Sequence, residues 1–212
     1  MEKEYMKRLA VMAAALIIFL TAGAGGAEQG QTTWEQFGLP ADTGTPAITA
    51  TPAPNAFRFR DGIRWGMTPQ QVQALETEKM TERSMADWSI MLTDSKVVVS
   101  RFTADLVFMF RQNQLQMISY EFPNARQDDF LYLGGALGTV YGEADEADPL
   151  TIKALMDAIN PNRYKTEQIR EAAKWITADS TTIYLYFYAA NAFAITYVSP
   201  EMGSKIYQIN GL

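Results

Sequence analysis

Carboxylates, hydroxyls and arginines are the side chains left to do chemistry here, because the 212-residue chain has no histidine and no cysteine. Without imidazole there is no His-based triad, no imidazole proton shuttle and no His metal ligand. Without thiols there is no thiolate nucleophile, zinc finger, iron–sulfur site or disulfide framework. The run Glu143-Ala144-Asp145-Glu146-Ala147-Asp148 offers oxygens to a calcium ion, but it lacks the glycine and the spacing of a calcium loop. It reads as a solvated loop between helices. Asp128, Asp129 and Glu121 supply the residue types of a glycoside-hydrolysing carboxylate pair, but nothing in the sequence sets their separation, and helix capping explains Asp128 or Asp129 fully. A Ser–Lys hydrolase needs S-x-x-K, but Ser84 is followed three residues later by Asp87, and Ser100 by Thr103. Gly134-Gly135-Ala136-Leu137-Gly138 lies within an amphipathic helical pattern, which suits close helix packing rather than a phosphate cradle. Arg58, Arg60 and Arg64 alternate as on a charged strand edge. The reading is therefore no enzyme, no metal and no cofactor. With 18 Lys plus Arg against 24 Asp plus Glu, a net charge of -6, it is also no nucleic-acid binder.

The N-terminal residues set an address. Lys3, Lys7 and Arg8 precede the apolar run Leu9–Leu20, and small residues through Ala27 follow. That order is the order of a secretory signal peptide over 1–27. The apolar run is short for a membrane span, which needs ~20 predominantly apolar residues. Residues 28–56 place Pro40, Pro46, Pro52 and Pro54 among Thr43, Thr45, Thr49 and Thr51, and so read as a disordered, semi-rigid tether. The expected place is secreted or in the cell envelope, outside the cytoplasm, with membrane contact only if the signal is retained.

The remaining residues, 57–212, must form the folded domain. Residues 105–123 align without gaps on residues 182–200, an offset of 77 that matches Phe110 with Phe187, Ile118 with Ile195, Tyr120 with Tyr197 and Pro123 with Pro200. Ser119 falls on Thr196. Both segments read as β-hairpins, with Asn113 and Asn191 at the turns. Further strands are expected over 96–101, 173–177 and 88–92. Thr68, Pro69 and Gln71 spell a capping box with proline at the first helical position, and Met67 and Val72 a hydrophobic staple. Val72 and Leu75 should then face the core. Asp128 or Asp129 should cap a helix presenting Phe130, Leu133, Leu137 and Val140, stopped by Gly142. A second helix covers 151–159. The predicted fold is α+β, two similar helix–helix–antiparallel-meander halves (57–123 and 124–200, with an extension over 201–212), helices on one face of the sheet.

Gly62-Ile63-Arg64-Trp65-Gly66-Met67-Thr68-Pro69-Gln70-Gln71-Val72 resembles the G-x-x-W-G-M-[ST]-x-x-[EQ]-V segment of small secreted bacterial domains. These form the broad group of the β-lactamase-inhibitor-protein fold and the SmpA/OmlA outer-membrane lipoproteins. Leu137–Ala144 resembles their L-x-x-x-Y-G-x-P segment, with Ala144 in place of proline. The resemblance covers roughly 57–200 and implies tandem helix–helix–sheet units and a role in protein contact. It carries no particular inhibitory residue onto this chain, and the lipoprotein cysteine is missing.

A tyrosine stripe supplies the candidate contact surface. In Ile183–Tyr188, Tyr184, Tyr186 and Tyr188 point opposite to Ile183, Leu185 and Phe187. If the latter set lies under the helices, three tyrosines stand over Ala192 and Ala194 on an open face, with Trp175 beside them and Met109 and Arg111 in the matching positions of the first half. Tyr and Trp give large contact area at low entropy cost. The expected function is non-catalytic binding of another protein through this face. An envelope-associated structural module anchored by an uncleaved signal is the alternative, and a carboxylate hydrolase the third reading. The competing use of the stripe is as core.

Overall fold

The computed structural model describes residues 57, 59, 62–85, 87–159 and 168–209, the last four as backbone only. The signal, the tether, Arg58 and Arg60 lie outside the described residues. The fold is α+β, dominated by one large antiparallel sheet.

Helix α1 (Pro69–Leu75) begins as its sequence dictates. The Thr68 hydroxyl accepts from the Gln71 amide at 3.3 Å, and the Gln71 side chain accepts from the Thr68 amide at 2.9 Å. Val72 is fully buried, but Leu75 is 39% exposed, so only one of the two expected core residues faces inward. Strands β1 (Met80–Met85), β2 (Trp88–Thr93), β3 (Val97–Val99), β4 (Phe102–Arg111) and β5 (Gln114–Pro123) follow. The β4–β5 turn holds Gln112 and Asn113 at φ of 51° and 64°, the pair of left-handed residues that a tight two-residue hairpin requires.

Helix α2 (Gln127–Tyr141) has Arg126 at its N-cap, two or three residues before the expected Asp128 or Asp129. Asp129 sits inside its first turn and accepts from the Arg126 amide at 2.9 Å. Phe130, Leu133 and Leu137 are buried, whereas Val140 is 58% exposed. Gly142 ends the helix at φ 92°, ψ -160°, a region open essentially to glycine alone. The acidic run then divides its work. Asp145 and Glu146 form the short edge strand β6 (Asp145–Glu146), and Asp148 caps helix α3 (Pro149–Ile159) by accepting from the Leu150 and Thr151 amides at 3.0 and 3.2 Å. Strands β7 (Arg170–Ile176), β8 (Thr182–Ala189) and β9 (Ala192–Val198) and helix α4 (Pro200–Ile209) complete the order. Ser199 caps α4 through the Met202 amide at 3.1 Å.

The sheet runs β1-β2-β4-β5-β9-β8-β7-β6, with β3 on β4. The two long hairpins meet at the centre through β5 and β9, where Ser119 stands opposite Thr196. Their internal registers coincide under the 77-residue offset as far as Met109 and Tyr186, then diverge, since Phe110 faces Leu115 but Phe187 faces Phe193. Val107 faces Ser119 as Tyr184 faces Thr196, and Met109 faces Met117 as Tyr186 faces Ala194.

Helices cover both faces of the sheet, not one. Phe130 of α2 stacks on Phe187 with ring centroids 4.7 Å apart and meets Phe193 edge-on at 5.6 Å. Residue 186 points the other way, and there the Tyr186 hydroxyl donates to the Met156 sulfur of α3 at 3.5 Å. Two amphipathic helix faces and a sheet apolar on both sides leave no cheaper arrangement, since each large side chain buried contributes ~1.5–3 kcal/mol.

Candidate functional site

The first face carries Met109, Tyr184, Tyr186 and Tyr188 together, as their spacing requires, but it is not open. Tyr184 and Tyr186 are 3% and 1% exposed, in one cluster with Ile152, Leu155, Met156 and Ile159 of α3 and Met202 of α4. Tyr188 packs half-buried at its margin. Met109 is buried in the same cluster. Arg111 ends the row half-exposed, bonded to Asp87 at 2.9 Å and lying 5.9 Å from the Trp88 ring centre. Trp175 belongs to the opposite face: it pairs in register with Ile183, and its indole donates to the Gly142 carbonyl at 3.0 Å. The signal for this correction was present in α3, whose apolar residues at 152, 155, 156 and 159 form one helical stripe that needed a surface to cover.

On the second face, Tyr120 and Tyr197 flank the sheet centre with rings 6.4 Å apart. A strap from the N-terminal side crosses them. Phe59 stacks on Tyr120 at 5.7 Å and meets Phe108 edge-on at 5.9 Å, while Phe57 lies 5.3 Å from Tyr197 and stacks on Trp65 at 4.8 Å. The strap is pinned by polar contacts at its edge. The Phe57 amide donates to Asp179 at 3.2 Å, and the Trp65 indole donates to the Thr181 hydroxyl at 2.8 Å. Burial pulls the Asp179 carboxyl upward, but bonds from the Thr177 hydroxyl and the Phe57 and Thr181 amides outweigh it and hold the group below its ordinary value. Burial, then the Asp179 charge, raises Tyr141. Burial, with Tyr141 and Tyr120 nearby, pushes the Tyr197 phenol far above its usual range. These phenols stay neutral at physiological pH, so the patch is aromatic and hydrogen-bonding rather than acid–base.

An open concavity lies at the sheet's end. A cleft of about 410 Å³ runs between α1 and the β1–β2 ribbon, lined by Pro69, Gln70, Gln73, Ala74, Met80, Glu82 and Met91. Among the described residues strand β1 pairs with β2 on one side only, and its residues Thr81 to Ser84 are exposed. The capping box at Thr68 placed α1 in the sequence, but nothing local could say that β1 would be an edge strand. Among the described residues no three acidic side chains gather as a metal-ligand group. Arg64 is exposed. No protein-family model matches the chain, nor does any curated protein or solved structure.

Proposed function

We propose that this chain is an exported, non-catalytic binding module that takes an extended segment of another protein along β1, beside the α1 cleft. It belongs outside the cytoplasm, delivered by the 1–27 signal and spaced by the 28–56 tether. Its domain is built as two similar halves, 57–123 and 124–200, about an approximate two-fold axis through Ser119 and Thr196, an arrangement akin to the β-lactamase-inhibitor-protein fold group. The shared 77-residue register supports this. The helix α3 between β6 and β7 has no counterpart between β1 and β2.

The carrying observation is the side of β1 that pairs with no strand among the described residues, above a concave, partly apolar floor. An edge strand is a template for a further strand, and adjoining pockets supply specificity. The opposite edge, β6, is only two residues long, too short to serve. A second copy is a poor occupant. Antiparallel pairing of β1 with itself about a two-fold axis sets Glu82 against Glu82 or Arg83 against Arg83 in its two fullest registers, and like charges directly opposed destabilise. The fitting partner is a strand with a basic residue opposite Glu82, an acidic one opposite Arg83, and an apolar side chain for Met80 and Met91.

The test is photo-crosslinking from Thr81 of residues 28–212, exposed to secreted and envelope fractions of the producing organism. The crosslinked peptide is then mapped. Ala74→Trp, which fills the cleft from an exposed position, should abolish the crosslink while the unfolding midpoint stays within a few degrees. A crosslink that survives Ala74→Trp, or a partner captured equally from Leu150 on α3, would sink the proposal.

A further inference from the structure

We infer that the aromatic groove under Phe57 and Phe59 is a second binding site, for an extended peptide with two aromatic residues at alternate positions, held shut in cis by the chain's own strap. This rests on the second face of the sheet and is independent of the cleft at β1.

The strap behaves as an occupant rather than as a structural element. Residues 57 and 59 belong to neither helix nor strand, and both side chains remain half-exposed. Both rings lie on one aromatic bed made by Phe108, Tyr120 and Tyr197, a bed that alternate side chains of an extended peptide could fill. The polar anchor is a main-chain amide bonded to the exposed carboxylate of Asp179, a contact that any peptide's N–H can supply. No disulfide clamps the strap onto its bed, since the chain has no cysteine. Aromatic rings in such beds carry much of the binding energy of peptide contacts. The strap therefore records the chemistry its groove selects. A ligand in trans competes against a segment whose effective concentration is in the millimolar range, so the site answers only to strong or clustered aromatic ligands.

The probe is a fluorescent peptide carrying residues 55–61, Asn-Ala-Phe-Arg-Phe-Arg-Asp, read by anisotropy against residues 28–212. The peptide should bind Phe57→Ala/Phe59→Ala at least about tenfold more tightly than the parent, because the cis competitor is weakened. The same peptide with both phenylalanines replaced by alanine should not bind. Asp179→Asn should lower the affinity of the strapless variant, and Ala74→Trp should leave it unchanged. Equal affinity for parent and double variant would overturn the inference. So would loss of cooperative unfolding in the double variant, since a displaceable strap cannot be required for the fold. A parent dimer that dissociates in the double variant would also overturn it, by showing strap exchange between copies.

Discussion

Ser119 and Thr196 meet side by side across β5 and β9 with their hydroxyls 3.0 Å apart, and each is the residue on which the 77-position alignment places the other. The pair joins the two long hairpins where β5 meets β9. Thr196 also shares a bond with the Tyr186 hydroxyl at 3.2 Å, and Tyr186 in turn reaches Met156. The centre of the sheet is thus a short buried chain of hydroxyls under α3.

That chain predicts a specific non-additivity. Ser119→Val leaves Thr196 its bond to Tyr186 and should cost about 1 kcal/mol, whereas Thr196→Val breaks both bonds of Thr196, with Tyr186 keeping Met156, and should cost about 1–3 kcal/mol. The double variant should be more stable than the sum of the single losses. Urea unfolding of all four proteins reads the coupling, and strict additivity would show that the hydroxyls do not share a network.

Tyr186→Ala should destabilise the domain by about 3–5 kcal/mol, as for other large core truncations. Tyr186→Phe should cost only about 0.5–1.5 kcal/mol, the net value of its hydrogen bonds. A near-neutral alanine variant in thermal melts would return the residue to the surface role first expected of it.

The Asp179 carboxyl is held below its ordinary value of 3.8, so the folded state favours its charged form. Its contribution is present above that unfolded value and is lost as pH falls through the lowered folded value. The parent should therefore exceed Asp179→Asn in stability near neutrality, and the difference should shrink steadily below about pH 4. Unfolding midpoints of both proteins between pH 2 and 7 check this. A pH-independent gap would assign the loss to packing instead.

Gly142→Ala isolates backbone strain. No atom lies within 4 Å of the position a Cβ would take, so a clash cannot explain any loss. The φ of 92° and ψ of -160° should alone cost about 1–3 kcal/mol. Because the Gly142 carbonyl receives the Trp175 indole, the variant's near-ultraviolet circular dichroism should change with its stability.

Features governed by neighbouring residues were legible before any coordinates. Thr68 and Gln71 spelled their capping box, Gly142 its helix stop, and Asn113 its turn. Asn191 looked equivalent to Asn113 but does not adopt positive φ. Instead its side chain donates to Asn124 at 3.4 Å and its carbonyl accepts from the Ala125 amide at 2.8 Å, partners brought there by the sheet. The C-terminal helix α4 went unrecognised because its start depends on Ser199, whose hydroxyl also donates to Gln116 on β5 at 2.5 Å.

The sequence by itself determined which residues share a face. Strict alternation put Tyr184, Tyr186 and Tyr188 on one side and Ile183, Leu185 and Phe187 on the other, and the 77-residue offset carried Met109 onto the tyrosine side. Alternation is a property of the extended backbone and needs no partner. What lies against each face was decided only by tertiary structure. Strand order and helix docking are set by contacts between distant residues, where total apolar burial counts and local pattern does not. So α3 closed over the tyrosines, Trp175 turned to the opposite face with Ile183, and β1, ordinary in sequence, became the exposed edge.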